Sequence, residues 1–511
     1  MTTLLCDSFR YVAVVCLATH VALFSSSDSA AQSQPELDQK YYIVEDIPTP
    51  EGVVFEASAI CRISLDRVAL ATRRGEIYFA DNLFGPVDEI RFTRFATGLG
   101  EVMGLVFHDG WLYASENAQL LRIRDEDGDD RADIYETFNS DWGSSPENLF
   151  EWCWLLPQDS EGNFWALLTL SNSHASQNYL RGWAIRISPD GDLIPTAAGV
   201  RSPGGGGYDS RGKLFYCDNQ GHWNGTNGIK HLTIGSHQGN PSGNRWFKEA
   251  NADLEKLGMA GLVGDDPGMP PDQSYIEDER RRNPRFIPPA VQVPIGRMGR
   301  SPTQIVWDKS QGKFGPFSKQ LFVGEHTHSE VLRVFLETVN GVEQGVVFPF
   351  LQGLRSGPVG LLMAEEGYLF TAETDRGWGA RGGSRYAFER IRWTGATPFE
   401  VLEMRITDEG FELTFTEQVD LATAGDPTSY TMSSWTYWLQ GSYGSPEIDF
   451  TQQTIVAATV EPDGLTVRLQ VEGRVQGHVH EIKLDGVRSA KTKKPLWHPI
   501  AYYTINEIPG S

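Results

Sequence analysis

Between Ala59 and Gly395 one hydropathy pattern recurs about six times. A short apolar strand leads into a turn built on Gly with Asp, Asn or Lys, then a second apolar strand, a polar loop and a third strand. The copies begin near ICRISLDRVALATRRGEIYFADN, MGLVFHDGWLYASENAQLLRIRD, LLPQDSEGNFWALLTL, GGGGYDSRGKLFYCDNQG, IVWDKSQGKFGPFSKQLFVGEHTHSEVLRVFLE and VGLLMAEEGYLFTAETDRGWG. A unit of this size cannot bury both of its faces alone, so the repeat predicts a six-bladed β-propeller over residues 41–397. Strands begin at Tyr41, and this early segment is expected to pair with the last blade and close the ring, which removes exposed sheet edges. Beyond Pro398 the runs FEVLEMRI, GFELTFTEQV, QTIVAATV, GLTVRLQV and GHVHEIKL alternate apolar and polar positions, which predicts a separate β-sandwich over 398–511. The chain therefore reads as all-β. The stretch from Asn251 to Pro289, rich in Pro, Gly, Asp and Arg and carrying EDERRRNPR, breaks the pattern and reads as an excursion between the fourth and fifth blades, either a solvated loop or a lid.

Composition narrows the class. At the N-terminus Arg10 precedes the apolar run Tyr11 to Phe24 and a Ser-rich stretch ending at Ser29-Ala30-Ala31, the pattern of a secretory signal over 1–31 cleaved near Ala31. Residues 32–40 then read as a linker, and the mature protein as secreted or periplasmic, with no later segment apolar enough to span a membrane. With 67 acidic against 44 basic residues, a net charge of −23, electrostatic binding to nucleic acid is disfavoured. Of the five cysteines two leave with the signal; Cys61, Cys153 and Cys217 sit in apolar strands, form no CxxC pair, and read as buried thiols.

Four constellations carry candidate chemistry. In RDEDGDDRAD the carboxylates of Asp125, Asp127, Asp129 and Asp133 surround a Gly-permitted turn, a pattern that can converge oxygen atoms on calcium. The loop Asp218-Asn219-Gln220-Gly221-His222-Trp223-Asn224 brings together amide, imidazole and indole groups, which suit a sugar ring with its apolar face and hydroxyl edges; Trp223 and Asn224 are the substrate candidates and His222 a candidate base. GEHTHSEV places His326 and His328 two apart at a strand end, where they share a face if the strand continues. TDRGWGARGG offers Arg376 and Trp378 on a glycine-rich loop, able to grip a carboxylate or cap a blade.

These residues resemble the soluble quinoprotein glucose/sorbosone dehydrogenases, and most closely a group of secreted bacterial propeller proteins akin to them. The resemblance covers roughly Glu51 to Gly395. It implies pyrroloquinoline quinone (PQQ) held across a propeller axis, calcium beside the quinone, and a histidine that takes the substrate hydroxyl proton. The family's arginine segment is similar to Gly199-Val200-Arg201-Ser202-Pro203-Gly204-Gly205, so Arg201 inherits the cofactor-binding role, with Ser202 where the family has Asn; Ser202, Asn219 and Gln220 are its companion cofactor-binding candidates. Where closer relatives carry N-Y-H-E this chain has Asn148-Leu149-Phe150-Glu151, and Phe150 cannot accept a proton. His222, Glu147 or Glu151 would then serve as base. The family's later arginine pair and lysine have no clear match between Thr327 and Val359, and without a CxxCH motif any electron acceptor, such as a cytochrome c, is a separate molecule. Three functions follow as expectations: PQQ-dependent oxidation of a sugar or polyol, a non-catalytic calcium-stabilised propeller that binds a glycan or a protein, and a metal-dependent hydrolase or lactonase using His326 and His328.

Overall fold

The computed structural model describes residues 34–145, 150–170 and 177–510. The signal segment, Glu147 and the Asn148-Leu149 pair lie outside them. Six four-stranded antiparallel units surround an axis, with innermost strands Ala57–Ser64, Leu105–His108, Cys153–Leu155, Pro203–Tyr208, Pro302–Trp307 and Pro358–Ala364. Turn chemistry sets the repeat. Asp159 accepts the backbone N–H groups of Glu161 and Asn163, and Asp209 those of Arg211 and Lys213, so the polar residue of each hairpin satisfies its own tight turn. Between blades the apolar faces interlock, as where Phe215, Ile229 and Val291 of the fourth meet Ile305, Val323 and Val334 of the fifth. Cys61, Cys153 and Cys217 are buried free thiols, and loss of solvation pushes the first two up to about 12.

The N-terminal strand Tyr42–Asp46 pairs with Tyr386–Trp393 and completes the sixth blade. Tyr42 is fully buried against Phe314, Phe350 and Trp497, and its hydroxyl donates to the Phe314 carbonyl at 3.1 Å. Just upstream, where the composition reads as a linker, Gln34–Asp38 forms one helical turn. Its buried Asp38 accepts from Trp497 Nε1 at 2.9 Å and from the Gln352 amide at 3.1 Å, which fixes the segment to the ring.

Two features depart from the sequence reading. The excursion is inside the fourth blade rather than after it, since it joins the third strand Asn227–His231 to the fourth strand Pro289–Val293. It runs beside the outer strand of the third blade, with Gln238 N donating to Ala198 O and Asn240 N to Gly199 O, and buries Phe247, Ala250 and Leu254 against that blade.

The second departure concerns the C-terminal strands. Ile500–Ile505 pairs with the outer strand of the fifth blade, Val342–Gln352, through Gly345↔Thr504, Val346↔Tyr503 and Val347↔Tyr502. The sheet then continues without a break, and the fifth blade becomes the first four strands of an eleven-stranded sheet. Within it the 13-residue strand Ile448–Val460 pairs first with Thr431–Thr436 and then with Thr466–Glu472, passing from one layer of the sandwich to the other. Phe335, Val346 and Phe348 of the blade share one core with Val401, Phe411, Leu413, Leu469 and Tyr503. Arg333 fastens this seam. Fully buried between Phe317 and Phe348 at 4.1 and 4.0 Å, its guanidinium donates to Val401 O, Leu402 O and Gln320 Oε1. Burial holds it down at about 10, and the backbone carbonyls take the place of water around the charge.

Because blade and sandwich share a sheet and a core, calorimetry of the intact protein should show one cooperative unfolding transition; two separated transitions would contradict a fused architecture. Arg333→Ala strips three acceptors of their donor at that seam and should cost roughly 3–5 kcal/mol in urea denaturation. A loss below about 1 kcal/mol would show that the seam holds without it.

Candidate functional site

Three blades carry the same local device. In the fourth blade Arg201-Ser202 turns into Pro203, and the Asp218 carboxylate accepts Ser202 N at 2.8 Å and Arg201 N at 3.3 Å. In the fifth, Arg300-Ser301 turns into Pro302, and Glu325 accepts both amides, Arg300 N at 2.7 Å. In the sixth, Arg355-Ser356-Gly357 turns into Pro358; Glu373 accepts Ser356 N at 2.7 Å and Glu389 accepts Arg355 N at 3.0 Å. The register is common to all three, with Pro203↔Asp218, Pro302↔Glu325 and Pro358↔Glu373. Proline suits the first strand position because it donates no ladder bond, and a fully buried carboxylate satisfies the turn amides that would otherwise be orphaned. Asp218 is further held by Lys230 Nζ at 3.0 Å.

The first two of these turns open onto a cavity of about 570 Å³ on one end of the ring. It is built from blade-to-blade loops (Phe150, Trp152, Arg201, Ser202, Ile295, Arg300, Ser301), from loops joining second to third strands (Asn219, Gln220, Thr327, Gly377, Trp378, Gly379), and from Tyr443 of the sandwich. The lining residues include two arginines and no carboxylate. Arg201 is 2% exposed and donates to the carbonyls of Asn219 and Gln220 at 3.1 and 2.5 Å, with Tyr443 5.2 Å from its guanidinium carbon. The glycine at 221 is required here, because a Cβ would collide with that guanidinium. Arg300 is exposed and has no ion-pair partner among the described residues.

The remaining wall is aromatic and also cationic. Phe150 packs edge-on against Trp152 at 5.4 Å, Trp152 lies 5.4 Å from Trp378, and Trp378 covers His326 at 4.5 Å. Trp152 Nε1 donates to Glu101 at 2.7 Å, and Arg73 stacks on its ring at 5.0 Å. Behind this wall Glu56 and Glu101 are matched by Arg73, Arg74, Arg376 and Arg385, an excess of positive charge.

Of the residues expected at a site, Arg201, Ser202, Asn219, Gln220 and Trp378 meet in this one cavity. The others are elsewhere. Arg376 is engaged by Glu56 and Glu101, both at 3.4 Å, behind the lining. The Glu151 carboxylate is fully buried and accepts Ser145 N and Asn178 Nδ2 at 2.6 and 2.7 Å. His222 faces the sandwich, where its Nδ1 lies 2.8 Å from Gly441 O and its ring meets Tyr443 edge-on at 5.7 Å. Trp223 packs with Ile276, Phe286 and Leu439, joining the excursion to the sandwich, and Asn224 Nδ2 holds the carbonyl of Asn219 at 2.7 Å. His326 and His328 diverge, because the strand ends at Glu325 and a turn follows. His326 lies under Trp378, whereas His328 Nδ1 is 3.3 Å from Glu330. In the acidic loop, oxygens of Asp125, Asp127 and Asp133 lie within 4.8 Å of one another, while Asp129 accepts the amide of Arg131. This loop joins the third and fourth strands of the second blade, so strand alternation places it at the end of the ring opposite the cavity.

Arg300, Ser301 and Tyr443 are the site residues that sequence reading missed. The first two carry a visible signal, since Arg-Ser-Pro at 300–302 repeats Arg-Ser-Pro at 201–203 one blade earlier. Tyr443 carries none, because nothing in the sandwich sequence tells that its 437–447 loop docks on the propeller. There Trp223 N donates to Gln440 O at 2.7 Å and Gly444 N to Gly221 O at 3.1 Å.

No family model matches the chain, and no curated protein matches it. Solved structures similar to it include the PQQ-bound form of an aldose sugar dehydrogenase from Streptomyces coelicolor, 14% identical, covering 69% of this chain and 98% of that one, with a TM-score of 0.48. A glucose dehydrogenase is 15% identical over 70% of this chain and 99% of its own, TM-score 0.48. The holo form of the pyranose dehydrogenase PQQ domain from Coprinopsis cinerea is 12% identical over 69% and 95%, TM-score 0.45. Solved structures similar to this chain include a luciferin-regenerating enzyme and a candidate gluconolactonase beside the sugar dehydrogenases, so what its cavity binds rests on its own side chains.

Proposed function

We propose that this is a dehydrogenase-like propeller whose cavity binds a planar or ring-shaped ligand bearing carboxylates. The observation that carries the reading is the lining: Arg201 and Arg300, amides and hydroxyls, the aromatic faces of Phe150, Trp378 and Tyr443, and no acidic side chain, in a chain of net charge −23. Arg300, exposed and without an ion-pair partner among the described residues, is positive charge that an anionic ligand would satisfy.

PQQ, a planar tricarboxylate, fits this donor set. Arg201 and Arg300 would hold its carboxylates, Asn219, Gln220, Ser202 and Ser301 its oxygen edge, and the aromatic side chains its faces. When bound, the quinone supplies a two-electron acceptor for oxidation of a sugar or polyol. The chain's own contribution is to orient that hydroxyl and to exclude water with the indole wall. A second reading, a non-catalytic receptor for an anionic glycan, is favoured by Phe150, which stands in the cavity where the resemblance expects a histidine. His326 and His328 do not converge on one metal site, and a hydrolase would instead rest on Glu325, His328 and Glu330, whose donor atoms lie within 4.8 Å of one another. Calcium is proposed as a structural ion on Asp125, Asp127 and Asp133.

Titration of the mature protein with PQQ should give saturable binding, followed by bleaching of the quinone on addition of its sugar; binding without bleaching by any sugar would favour the receptor. Arg300→Ala should weaken PQQ about 10- to 100-fold, the loss of one charge-assisted hydrogen bond of roughly 1.5–3 kcal/mol, while the melting temperature stays unchanged. Arg300 is the cleaner test than Arg201, whose removal also strips the carbonyls of Asn219 and Gln220 of their donor. Equal affinity in wild type and variant would remove the anion-binding reading. Chelation with EDTA should lower the melting temperature by several degrees and leave PQQ affinity intact, because the acidic loop lies at the far end of the ring. An unchanged melting temperature would exclude a structural calcium ion there.

A further inference from the structure

His326 borders the cavity wall without lining the cavity. It is fully buried, and neither ring nitrogen has a hydrogen-bond partner. The Thr374 carbonyl is close enough to favour the charged form, but burial and the nearby Arg73 outweigh it and hold the ring neutral, with its pKa down at about 3. A buried imidazole with two unused polar atoms is costly, and such groups survive where function needs them. Trp378 lies over the imidazole at 4.5 Å, lines the cavity on its other side, and has its own Nε1 buried without a partner.

The cover is mounted to turn. Trp378 sits between Gly377, which holds a positive φ of 103°, and Gly379, around which a Cβ would meet nothing within 4 Å. No side-chain hydrogen bond of the indole has to break when it moves. The backbone of His326 is fixed, by contrast: its amide donates to Ser301 O at 3.0 Å, which ties it to the Arg300-Ser301 turn of the cavity rim.

We propose that His326 is a concealed ligand-binding residue of the cavity, uncovered when Trp378 turns about its flanking glycines, and that it accepts a hydrogen bond from an N–H or O–H donor of the bound ligand, such as the pyrrole N–H of PQQ or a sugar hydroxyl. The part concerning the ligand rests on the anionic-ligand reading above; the part concerning the cover does not. A neutral imidazole offers one acceptor nitrogen at physiological pH, a more basic acceptor than the amide and hydroxyl oxygens of Asn219, Gln220, Ser202 and Ser301 that line the cavity.

Acylation of the full mature chain with diethyl pyrocarbonate, followed site by site by peptide mass spectrometry, tests the cover. Exposed His108 and fully buried His480 in the sandwich serve as the fast and slow references. In wild type His326 should react measurably faster than His480, because turning one indole suffices to reach it, whereas His480 requires unfolding. In Trp378→Ala the rate at His326 should rise at least about tenfold, and Trp378→Phe should restore most of the protection. If His326 in wild type is as inert as His480, or if Trp378→Ala leaves its rate unchanged in protein of normal melting temperature, the proposal is overturned.

The ligand contact is read separately by PQQ titration, with and without a panel of sugars. His326→Leu should weaken the ligand about tenfold and His326→Gln, which keeps an acceptor, should recover part of the loss; equal binding by wild type and His326→Leu overturns the contact. Absence of PQQ binding by the wild type would sink the anionic-ligand reading itself, with the acylation rates still deciding whether Trp378 is the cover.

Discussion

The functional end of this propeller depends on three buried carboxylates. Asp218, Glu325 and Glu373 each lie opposite the proline that starts an innermost strand, and each receives backbone amides of the turn before it. A carboxylate placed there is costly to bury unless its lone pairs are filled, and the turn amides are costly to bury unless they find an acceptor, so the two requirements cancel. The result is a turn of fixed shape that aims the preceding arginine along the rim. The three arginines then diverge in use. Arg201 packs on Gly221 and Tyr443, Arg300 faces the cavity, and Arg355 pairs with Asp46 of the closing strand. Blades one to three lack the device: in the first and second, the corresponding second strands end in Thr72 and Ser115.

The sandwich is the second constraint on the cavity. Its sheet grows from the outer edge of the fifth blade, and Arg333 holds its first strand by two carbonyls, so the loop bearing Tyr443 is carried on a rigid support. That loop meets the propeller at Gly221 to Asn224, the segment whose turn is set by Arg201. Arg201 therefore has a double part. It shapes the 219–221 turn on which the sandwich docks, and it presents the cavity with positive charge against an aromatic face. Measured loss of binding in an Arg201 variant would mix these effects, which is why Arg300 separates them.

The ring was legible because each blade repeats its own turn chemistry: Asp209 and Asp159 cap hairpins whose strands alternate around them. The closing strand at Tyr42 was legible for the same reason, as an extra strand with no hairpin partner of its own. The excursion was misplaced by one strand, because Pro289–Val293, apolar but for Gln292, reads equally as an outer strand or as the start of a new blade. The fusion of sandwich to blade left no mark in local pattern, since pairing between Gly345 and Thr504 depends on distant edges meeting. At the site, Arg201, Ser202 and Trp378 were found from their Gly- or Pro-rich turns, Arg300 and Ser301 were missed although they repeat the Arg-Ser-Pro signal, and Tyr443, brought in from afar, left none. His222 and Trp223 looked like ligand groups because imidazole and indole in a polar loop suit a sugar; they suit a docking interface as well, and here they make one.

Charge explains why the distinction matters. A surface of net charge −23 repels an anion, but salt screens that field within about 10 Å at ordinary ionic strength. Inside the cavity the nearest charges are Arg201 and Arg300, and the glutamates behind the wall are matched by a surplus of arginines. An anion that reaches the rim therefore experiences attraction over a short range only, and selection falls on how well it fits the two guanidinium groups and the aromatic faces between them. The ring of blades provides the rigidity for such a fit, and the glycine-flanked Trp378 is a cavity wall whose indole no hydrogen bond holds in place.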